Sequence, residues 1–312
     1  MSSLIKMTHS SLIAASVSAI LSALVCFLAT GKWIRTSEER GIVARDLHKP
    51  GEVLAARIGG VPLALAFSIQ ASVLSILTGT PASLVAIPIF LSSLGLTDDL
   101  IGLNNTEKII LAGLPFLLSD SFPKFEPFSS LLTHQLTLFL LGTYFVNSTN
   151  TYAGFNGLEA GNSLVISLAL SIFALIKGEL AGFLYFLSLS LLLLSFLKYN
   201  WYPARAFPGN VMTFLCGGAL ASAAFQFGLY WQLVLLSLPQ GIDFSLKLLS
   251  WGRTRRKVPA GVSDEGKLIP PPNLSLPSLL IRLGVREEKK LVACLLTTEL
   301  LIASLLLIYL PR

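Results

Sequence analysis

Charged side chains are scarce in this sequence. Asp, Glu, Lys and Arg make up 13% of the 312 residues, whereas hydrophobic residues make up 53%. A typical soluble domain carries about 25% charged residues, because charge covers much of its water-facing surface. The shortage therefore excludes an ordinary soluble enzyme or binding module and predicts a chain that lies mostly in lipid.

Cysteine and histidine are also rare, with three of each. Cys26, Cys216 and Cys294 lie in apolar runs, so we interpret them as packing residues and predict no disulfide framework or metal knuckle. The histidines are scattered along the chain, which argues against a histidine-based metal centre. The net charge of +6 requires no nucleic-acid partner, because basic residues in a membrane chain serve to orient its spans.

Long apolar runs fill much of the chain. A helix needs about 20 residues to cross the hydrocarbon core, and lipid offers the backbone no partners, so spans are helices or closed barrels. The runs are continuous rather than alternating, which predicts an all-α polytopic membrane protein with residues 1–312 forming a single integral membrane domain. The first run is interpreted as a span rather than a signal peptide, because many further spans follow it. The ten predicted spans cover residues 11–31, 58–78, 82–97, 108–121, 128–147, 160–176, 179–197, 208–226, 228–249 and 290–309.

The placement of basic residues predicts the orientation of these spans. With the N-terminus outside, nearly all of the 23 Lys and Arg residues lie in cytoplasmic segments or at the adjoining span ends. The exceptions are Lys6, Lys124, Lys177 and Arg312. The positive-inside rule therefore predicts that both termini lie outside and that the chemistry takes place on the cytoplasmic face. The predicted cytoplasmic segments are residues 32–57, 98–108, 148–159, 198–207 and 250–289.

An aspartate doublet, Asp98 and Asp99, stands at the predicted inner end of the third span. A charge at the centre of a spanning helix costs about 2.5–3.5 kcal/mol on insertion scales, so the doublet must lie at the membrane boundary or beside a cation. Adjacent carboxylates suit proton transfer or Mg²⁺ binding, and Lys108 could reach the same place. The alternative is a solvated helix cap, because Asp is common at helix ends.

Four asparagines and three glycines interrupt the apolar pattern at residues 147–162. Asn147 and Asn150 are three residues apart, so on a helix they share one face. Their amides are costly in lipid but useful around a ligand. Asn156-Gly157 predicts a turn. The alternative for the whole segment is a plain loop.

Two more polar segments follow. The aromatic residues at 199–207 are typical of an interfacial belt. Asn210 is predicted to be the N-cap of the eighth span, whose backbone amides would then suit an anion such as a diphosphate. The basic run Arg253–Lys257 is either a topology signal, a site of attraction to anionic lipid, or a phosphate clamp.

In this order, the segments resemble the polyprenyl-phosphate N-acetylhexosamine-1-phosphate transferases of glycosyltransferase family 4, most nearly the UDP-GlcNAc–dolichyl-phosphate GlcNAc-1-phosphotransferases. The resemblance runs from about residue 46 to residue 259, and it implies ten spans with both termini outside. The residues that carry it are Asp46-Leu47-His48-Lys49-Pro50 with Gly59-Gly60, Asp98-Asp99, the loop Ala153–Gly161, and Asn200-Trp201-Tyr202-Pro203.

The resemblance implies that an oxygen of a polyprenyl or dolichyl phosphate attacks the β-phosphorus of UDP-GlcNAc, or of a related UDP-sugar, and that UMP leaves. It implies Mg²⁺ as the cofactor, with Mn²⁺ as an alternative. The implied catalytic residues are Asp98 and Asp99, and the implied metal ligands are Asn150 and Asn210. The implied substrate-binding residues are Lys49, Lys108, Asn147, Asn156, Gly157, Glu159, Arg255, Arg256 and Lys257.

Two departures from the family pattern bear on this expectation. The family has Gly-Asp before the eighth span, where this chain has Gly209-Asn210, and an amide oxygen ligates Mg²⁺ without the charge that makes the site tight. The eukaryotic branch has Arg-His-Arg where this chain has Arg255–Lys257, so no sugar contact or proton role of that histidine carries over. An inactive paralogue or scaffold is therefore a competing hypothesis.

A secondary transporter that uses Asp98 and Asp99 as an ion site is a further alternative. Transporter sites tend to lie near the bilayer midplane, whereas the polar segments here gather at one predicted face. The tight loops favour a cell membrane over the endoplasmic reticulum membrane. The resemblance also implies a homodimer.

Overall fold

The computed structural model describes residues 8–124, 130–251 and 259–310 and is mostly helical. Two short antiparallel hairpins, which the all-α prediction did not include, lie between the helices. The elements in chain order are α1 (His9–Glu39), β1 (Val43–Arg45), β2 (Leu54–Ala56), α2 (Val61–Thr78), α3 (Ser83–Ile101), α4 (Asn105–Leu117), α5 (Leu131–Thr151), α6 (Leu158–Ile176), α7 (Leu180–Asn200), α8 (Gly209–Gln226), α9 (Tyr230–Leu236), α10 (Leu238–Trp251), β3 (Gly261–Val262), β4 (Leu268–Ile269), α11 (Leu276–Arg282) and α12 (Glu288–Tyr309).

Each predicted span overlaps a helix, and the ninth corresponds to α9 and α10, which are bent by 58° at their junction. Within the described ranges, six helices are long and apolar enough to cross a membrane, or seven if the bent pair is one span. Together with their composition, these helices make the chain a multi-pass membrane protein. The number of ten spans and their orientation stay predictions.

Helix α8 is the centre of the bundle, because every residue from Val211 to Phe225 is buried. Its small residues let neighbouring backbones approach closely, as in other membrane helix pairs. Gly95 of α3 faces the α8 backbone so closely that an added Cβ would lie 2.2 Å from the carbonyl oxygen of Asn210. On another side, a Cβ on Gly217 would lie 2.6 Å from the Cα of Val146 in α5. Helix α3 therefore packs closely on the start of α8, and α5 packs closely on its middle.

The β1–β2 hairpin fixes the segment between α1 and α2. Its strands pair antiparallel, with Val43 opposite Ala56. The outer edge of β2 then pairs with the segment before α8, since the amide of Phe207 donates to the carbonyl of Ala56 at 2.9 Å. The amide of Gly59 donates to the carbonyl of Phe207 at 2.8 Å. The hairpin tip, which carries residues 46–50, is thus anchored beside the start of α8.

The segment between α10 and α12 also folds onto the bundle. Hairpin β3–β4 and α11 contribute to a second hydrophobic core that is separate from the core of the bundle. Its buried members are Tyr152, Phe155, Leu158, Ala260, Leu268, Ile281, Leu291, Val292 and Leu295. Because three of these belong to residues 152–158, the segment between α10 and α12 packs against the loop between α5 and α6.

The approach of α3 to α8 gives a first prediction. Gly95→Ala places a methyl group against backbone that cannot rotate away, so we expect the free energy of unfolding to fall by about 1–3 kcal/mol. Ser93→Ala on the exposed side of the same helix is the matched control. Thermal unfolding in detergent should show a lower melting temperature for Gly95→Ala only. Equal melting temperatures for the two variants would contradict the close packing.

Candidate functional site

Asp98 lies at the end of α3 and is almost fully buried. Its Oδ2 is 2.6 Å from the Nζ of Lys108 and accepts a hydrogen bond of 2.7 Å from the Nδ2 of Asn210. Its Oδ1 accepts from the backbone amide of Leu103 at 2.7 Å. A buried charge needs such a partner and such hydrogen bonds. The structure therefore confirms the prediction that Lys108 reaches the aspartate doublet.

The start of α4 explains why Lys108 reaches Asp98. Asn104 and Glu107 form a capping box, in which the amide of Glu107 donates to Asn104 Oδ1 at 2.9 Å and the amide of Asn104 donates to Glu107 Oε2 at 2.8 Å. A cap of this kind is worth about 1 kcal/mol. It fixes the first turn of the helix, and Lys108 follows immediately.

Asp99 has a different role from its neighbour. Its two carboxylate oxygens accept from the backbone amides of Asn210 and Val211 at 2.9 and 3.1 Å. These are the first-turn amides of α8, which have no partners inside the helix, and a carboxylate is favourable at that positive end. The prediction that Asn210 is an N-cap with amides open to an anion is wrong, because Pro208 is the N-cap residue and Asp99 occupies the amides.

Gly209 makes the contact between α3 and α8 sterically feasible. It has a φ of +70°, which favours glycine, and a Cβ there would lie 2.5 Å from Asp99 Oδ2. The guanidinium of Arg57 donates to the carbonyl oxygen of Asp99 at 3.2 Å. Asp99 is thus held between the start of α8 and Arg57, which lies between β2 and α2.

The expected metal ligands Asn150 and Asn210 come near each other through Thr213. The Thr213 hydroxyl donates to Asn150 Oδ1 at 2.9 Å and lies one turn after Asn210 on α8. Asn210 turns its NH₂ toward Asp98, so its Oδ1 is the atom left without a partner in the part of the chain that the structure describes. Asn147 stays apart: its Nδ2 donates to the Thr143 carbonyl of its own helix at 2.9 Å. We call Asp98, Asp99, Lys108, Asn150, Asn210 and Thr213 the aspartate cluster.

A second group of polar side chains surrounds Asn156. Its backbone amide donates to Glu288 Oε1 at 2.8 Å, and its Nδ2 donates to Asp46 Oδ2 at 2.8 Å. Lys49 joins the two carboxylates, since its Nζ lies 3.1 Å from Asp46 Oδ2 and contacts Glu288 Oε2. We call Asp46, His48, Lys49, Asn156 and Glu288 the hairpin cluster. All five side chains are buried.

His48 completes the hairpin cluster. Its ring stacks on Phe155 with centroids 4.5 Å apart, and its Nε2 is buried without a hydrogen-bond partner. Burial lowers the pKa of His48 to about 4, so the ring is neutral at neutral pH. Burial acts to raise the pKa of Asp46, but the hydrogen bonds from Asn156 and His48 and the charge of Lys49 hold that pKa below its usual value.

The hairpin cluster also contains a group that could hold a metal. One ligand atom from each of Asp46, His48 and Glu288 lies within 4.8 Å of the other two. The scattered histidines gave no hint of this, because His48 meets Glu288 only in the folded chain. The ammonium of Lys49 already lies at both carboxylates, so a divalent cation would have to displace it. In the aspartate cluster Lys108 likewise occupies Asp98 Oδ2, but Asn210 Oδ1 has no such competitor among the described residues, and an amide oxygen suits Mg²⁺.

The Ala153–Gly161 loop is held by its own residues and by the aromatic segment. The amide of Gly154 donates to Oε1 of the buried Glu159 at 2.8 Å. Gly157 has a φ of +85°, and a Cβ there would lie 2.8 Å from the ring of Trp201. One residue later, the ring of Tyr202 lies 4.1 Å from Lys49 Nζ, within cation–π range. Residues 201–210 therefore connect the hairpin cluster to the aspartate cluster.

The structure brings most of the predicted site residues into these two clusters and their loop. Arg255, Arg256 and Lys257 lie outside the described residues. Sequence reasoning missed Glu288, Thr213 and Arg57. Glu288 belongs to the run Glu287-Glu288-Lys289-Lys290, which is typical of solvated charge at a span end, so the sequence carried no signal of its burial.

Comparisons with known proteins identify the family of the chain. The model of the family described as "Glycosyl transferase family 4" matches residues 81–228. The "Putative glycosyltransferase" of Methanocaldococcus jannaschii is 32% identical, over 88% of this chain and 89% of that relative. A Sulfolobus acidocaldarius relative is 30% identical over 93% of this chain and 95% of its own length. It is named "Putative UDP-N-acetylglucosamine--dolichyl-phosphate N-acetylglucosaminephosphotransferase".

A Dictyostelium discoideum protein named UDP-N-acetylglucosamine--dolichyl-phosphate N-acetylglucosaminephosphotransferase is 29% identical, over 66% of this chain and 62% of its own length. The matched family region contains the whole aspartate cluster and the Ala153–Gly161 loop. The matches to the two archaeal relatives extend well beyond this region and cover most of the chain. The protein is a membrane transferase that belongs to glycosyl transferase family 4, among the polyprenyl-phosphate N-acetylhexosamine-1-phosphate transferases.

Proposed function

We propose that the protein transfers GlcNAc-1-phosphate, or a related sugar-1-phosphate, from a UDP-sugar to a polyprenyl or dolichyl phosphate. The observation that carries this proposal is the aspartate cluster, where the Asp98–Lys108 pair lies at the start of α8 beside Asn210. In the reaction, an oxygen of the lipid phosphate attacks the β-phosphorus of the UDP-sugar. The bond from that phosphorus to UMP breaks, and UMP leaves.

In phosphoryl transfer the protein contributes mainly by positioning the substrates and by neutralising phosphate charge. Lys108 meets both needs, because its ammonium is fixed by Asp98 and is partly exposed. Asp98 orients Lys108 and the lipid phosphate. Asp99 acts as a positioning residue, since its carboxylate holds the first turn of α8 and with it Asn210.

Mg²⁺, or Mn²⁺ in its place, is the proposed cofactor. Asn210 and Asn150 would hold it through their side-chain oxygens, and Asn210 Oδ1 has no competing partner among the described residues. The cation would supply neutralisation of the diphosphate oxygens. Because Asn210 Nδ2 donates to Asp98, the oxygen Oδ1 is the atom of Asn210 that would face the substrate.

The nucleotide is proposed to bind at Asn156, Gly157 and Glu159, with Lys49 behind them. Gly157 and Glu159 shape the turn, and Asn156 is the polar side chain that the two carboxylates hold in place. Arg255, Arg256 and Lys257 are proposed to meet phosphate or sugar. Asn147 is proposed as a further substrate contact at the end of α5.

We also propose ten spans with both termini outside and the two clusters on the cytoplasmic face of a cell membrane. In an antiparallel path, the ends of α3, α5 and α7 and the starts of α4, α6, α8 and α12 fall on one side. The members of both clusters lie at or next to these ends or in the β1–β2 hairpin, which joins the end of α1 to the start of α2 on the same side of that path. This placement supports a single polar face. A homodimer is part of the proposal by analogy with the family.

Transfer is tested with purified protein in lipid, Mg²⁺, polyprenyl phosphate and labelled UDP-GlcNAc, with other UDP-sugars in parallel. We expect labelled lipid and released UMP, and we expect Asp98→Asn to lower the rate about 100-fold or more because Lys108 loses its fixed partner. Asp120→Asn, an exposed carboxylate beyond the other end of α4, is the matched control. A folded protein that yields no product from any UDP-sugar would favour the inactive scaffold.

Asn210→Asp tests the metal ligand. The new carboxylate would lie beside Asp98, so repulsion should destabilise the variant without metal and Mg²⁺ should relieve it. We expect a lower Mg²⁺ requirement for transfer and a larger Mg²⁺-induced rise in melting temperature than in the unchanged chain. An unchanged Mg²⁺ titration in both measurements would count against Asn210 as a ligand.

The orientation is tested by labelling single cysteines with an impermeant maleimide, in a chain whose native cysteines are replaced. Glu265→Cys in the β3–β4 hairpin should react only in inside-out vesicles, because the proposal places that hairpin in the cytoplasm. Asp120→Cys should react only in right-side-out vesicles, and both positions are exposed in the fold. The opposite labelling pattern would overturn the proposed orientation.

A further inference from the structure

Asn156 is held at two points by ionised groups from distant parts of the chain. Glu288, at the start of α12, accepts from its backbone amide, and Asp46, in the hairpin tip, accepts from its side-chain Nδ2, both at 2.8 Å. The residue is 5% exposed. Its position and its side-chain rotation are therefore both fixed.

The partner of the side chain decides which amide atom faces outward. An ionised carboxylate can only accept hydrogen bonds, so Asp46 requires the NH₂ of Asn156 on its side. The lowered pKa of Asp46 keeps that carboxyl ionised at neutral pH. Asn156 Oδ1 is then the remaining atom, and it has no hydrogen-bond partner in the described part of the chain. The side chain of Asn156 therefore presents its Oδ1 as a hydrogen-bond acceptor.

Lys49 prevents this arrangement from reversing. Its ammonium contacts both Asp46 and Glu288, and the ring of Tyr202 covers it at 4.1 Å. Rotating Asp46 away from Asn156 would break a buried ion pair, which is costly when one charge is left alone. The acceptor is thus built into the hairpin cluster rather than chosen by a freely turning side chain.

We propose that Asp46 is a positioning residue that determines nucleobase specificity, by making Asn156 present an acceptor to the base. Uracil offers an N3–H donor to such an acceptor, whereas cytosine has an unprotonated N3 whose lone pair would face the Asn156 oxygen. The inference rests on the proposed binding of the nucleotide at Asn156. It adds the reason why that site takes uridine rather than cytidine nucleotides.

The test compares UDP-GlcNAc with CDP-GlcNAc as donors, and UMP with CMP as ligands measured by calorimetry. The unchanged chain should prefer the uridine nucleotides by about 10- to 100-fold, the usual value of a matched hydrogen-bond pair. In Asp46→Asn the new amide can donate or accept, so Asn156 is free to turn. We expect the uridine-to-cytidine ratio to fall about 10-fold. Glu287→Gln, an exposed carboxylate beside Glu288, should leave the ratio unchanged.

A merely structural role of Asp46 would weaken both nucleotides equally, and the ratio is insensitive to the folded fraction of a preparation. Asn156→Ala is a second variant that should also lower the ratio, because it removes the acceptor without touching the ion pair. An unchanged ratio in Asp46→Asn would overturn the inference, whatever the ratio in Asn156→Ala. If UDP-GlcNAc yields no labelled lipid with the unchanged chain, the proposed transfer fails instead, while the UMP-to-CMP binding ratio still tests the role of Asp46.

Discussion

The hydrogen bonds from the first amides of α8 to Asp99 are the contact on which the site depends. Helix α8 is buried from Val211 to Phe225, and its first-turn amides have no partner inside the helix, so an acceptor from elsewhere in the chain stabilises them. Asp99 supplies it from α3, and Gly95 and Gly209 let the two backbones approach closely enough. The same contact puts Asn210 beside Asp98 and therefore beside Lys108. The residues that cap α8 therefore also belong to the candidate reaction centre.

The two clusters share one hydrogen-bonding pattern. In each, an aspartate accepts from the NH₂ of an asparagine, Asp98 from Asn210 and Asp46 from Asn156, at 2.7 and 2.8 Å. Each aspartate is also paired with a lysine, so its charge is compensated inside the fold. Because a carboxylate cannot donate, both amides have their oxygens left for a ligand. A metal and a nucleobase N–H, which both seek acceptors, are the partners that such oxygens suit.

The sequence was informative where the physics is local or repeated. Apolar runs of spanning length located the helices. The polar breaks between them located the site, because polar groups are costly in lipid unless they bind a partner. The sequence was uninformative where the role of a side chain depends on a partner that is distant along the chain. Nothing local separates Asp98 from Asp99, yet one binds Lys108 and the other caps α8. Glu288 looked like solvated charge because its partners, Lys49 and Asn156, are more than 130 residues away.

The amide at position 210 is consistent with the charges around it. Asp98 and Asp99 already lie at the start of α8, where Lys108 pairs with Asp98. A third carboxylate at position 210 would add a negative charge beside these two and would lose the donor that now binds Asp98. Asn210 keeps an oxygen for a metal while adding no charge. The binding of a divalent cation would then depend more on the diphosphate of the substrate than on the protein, since the amide contributes an oxygen without attraction at long range.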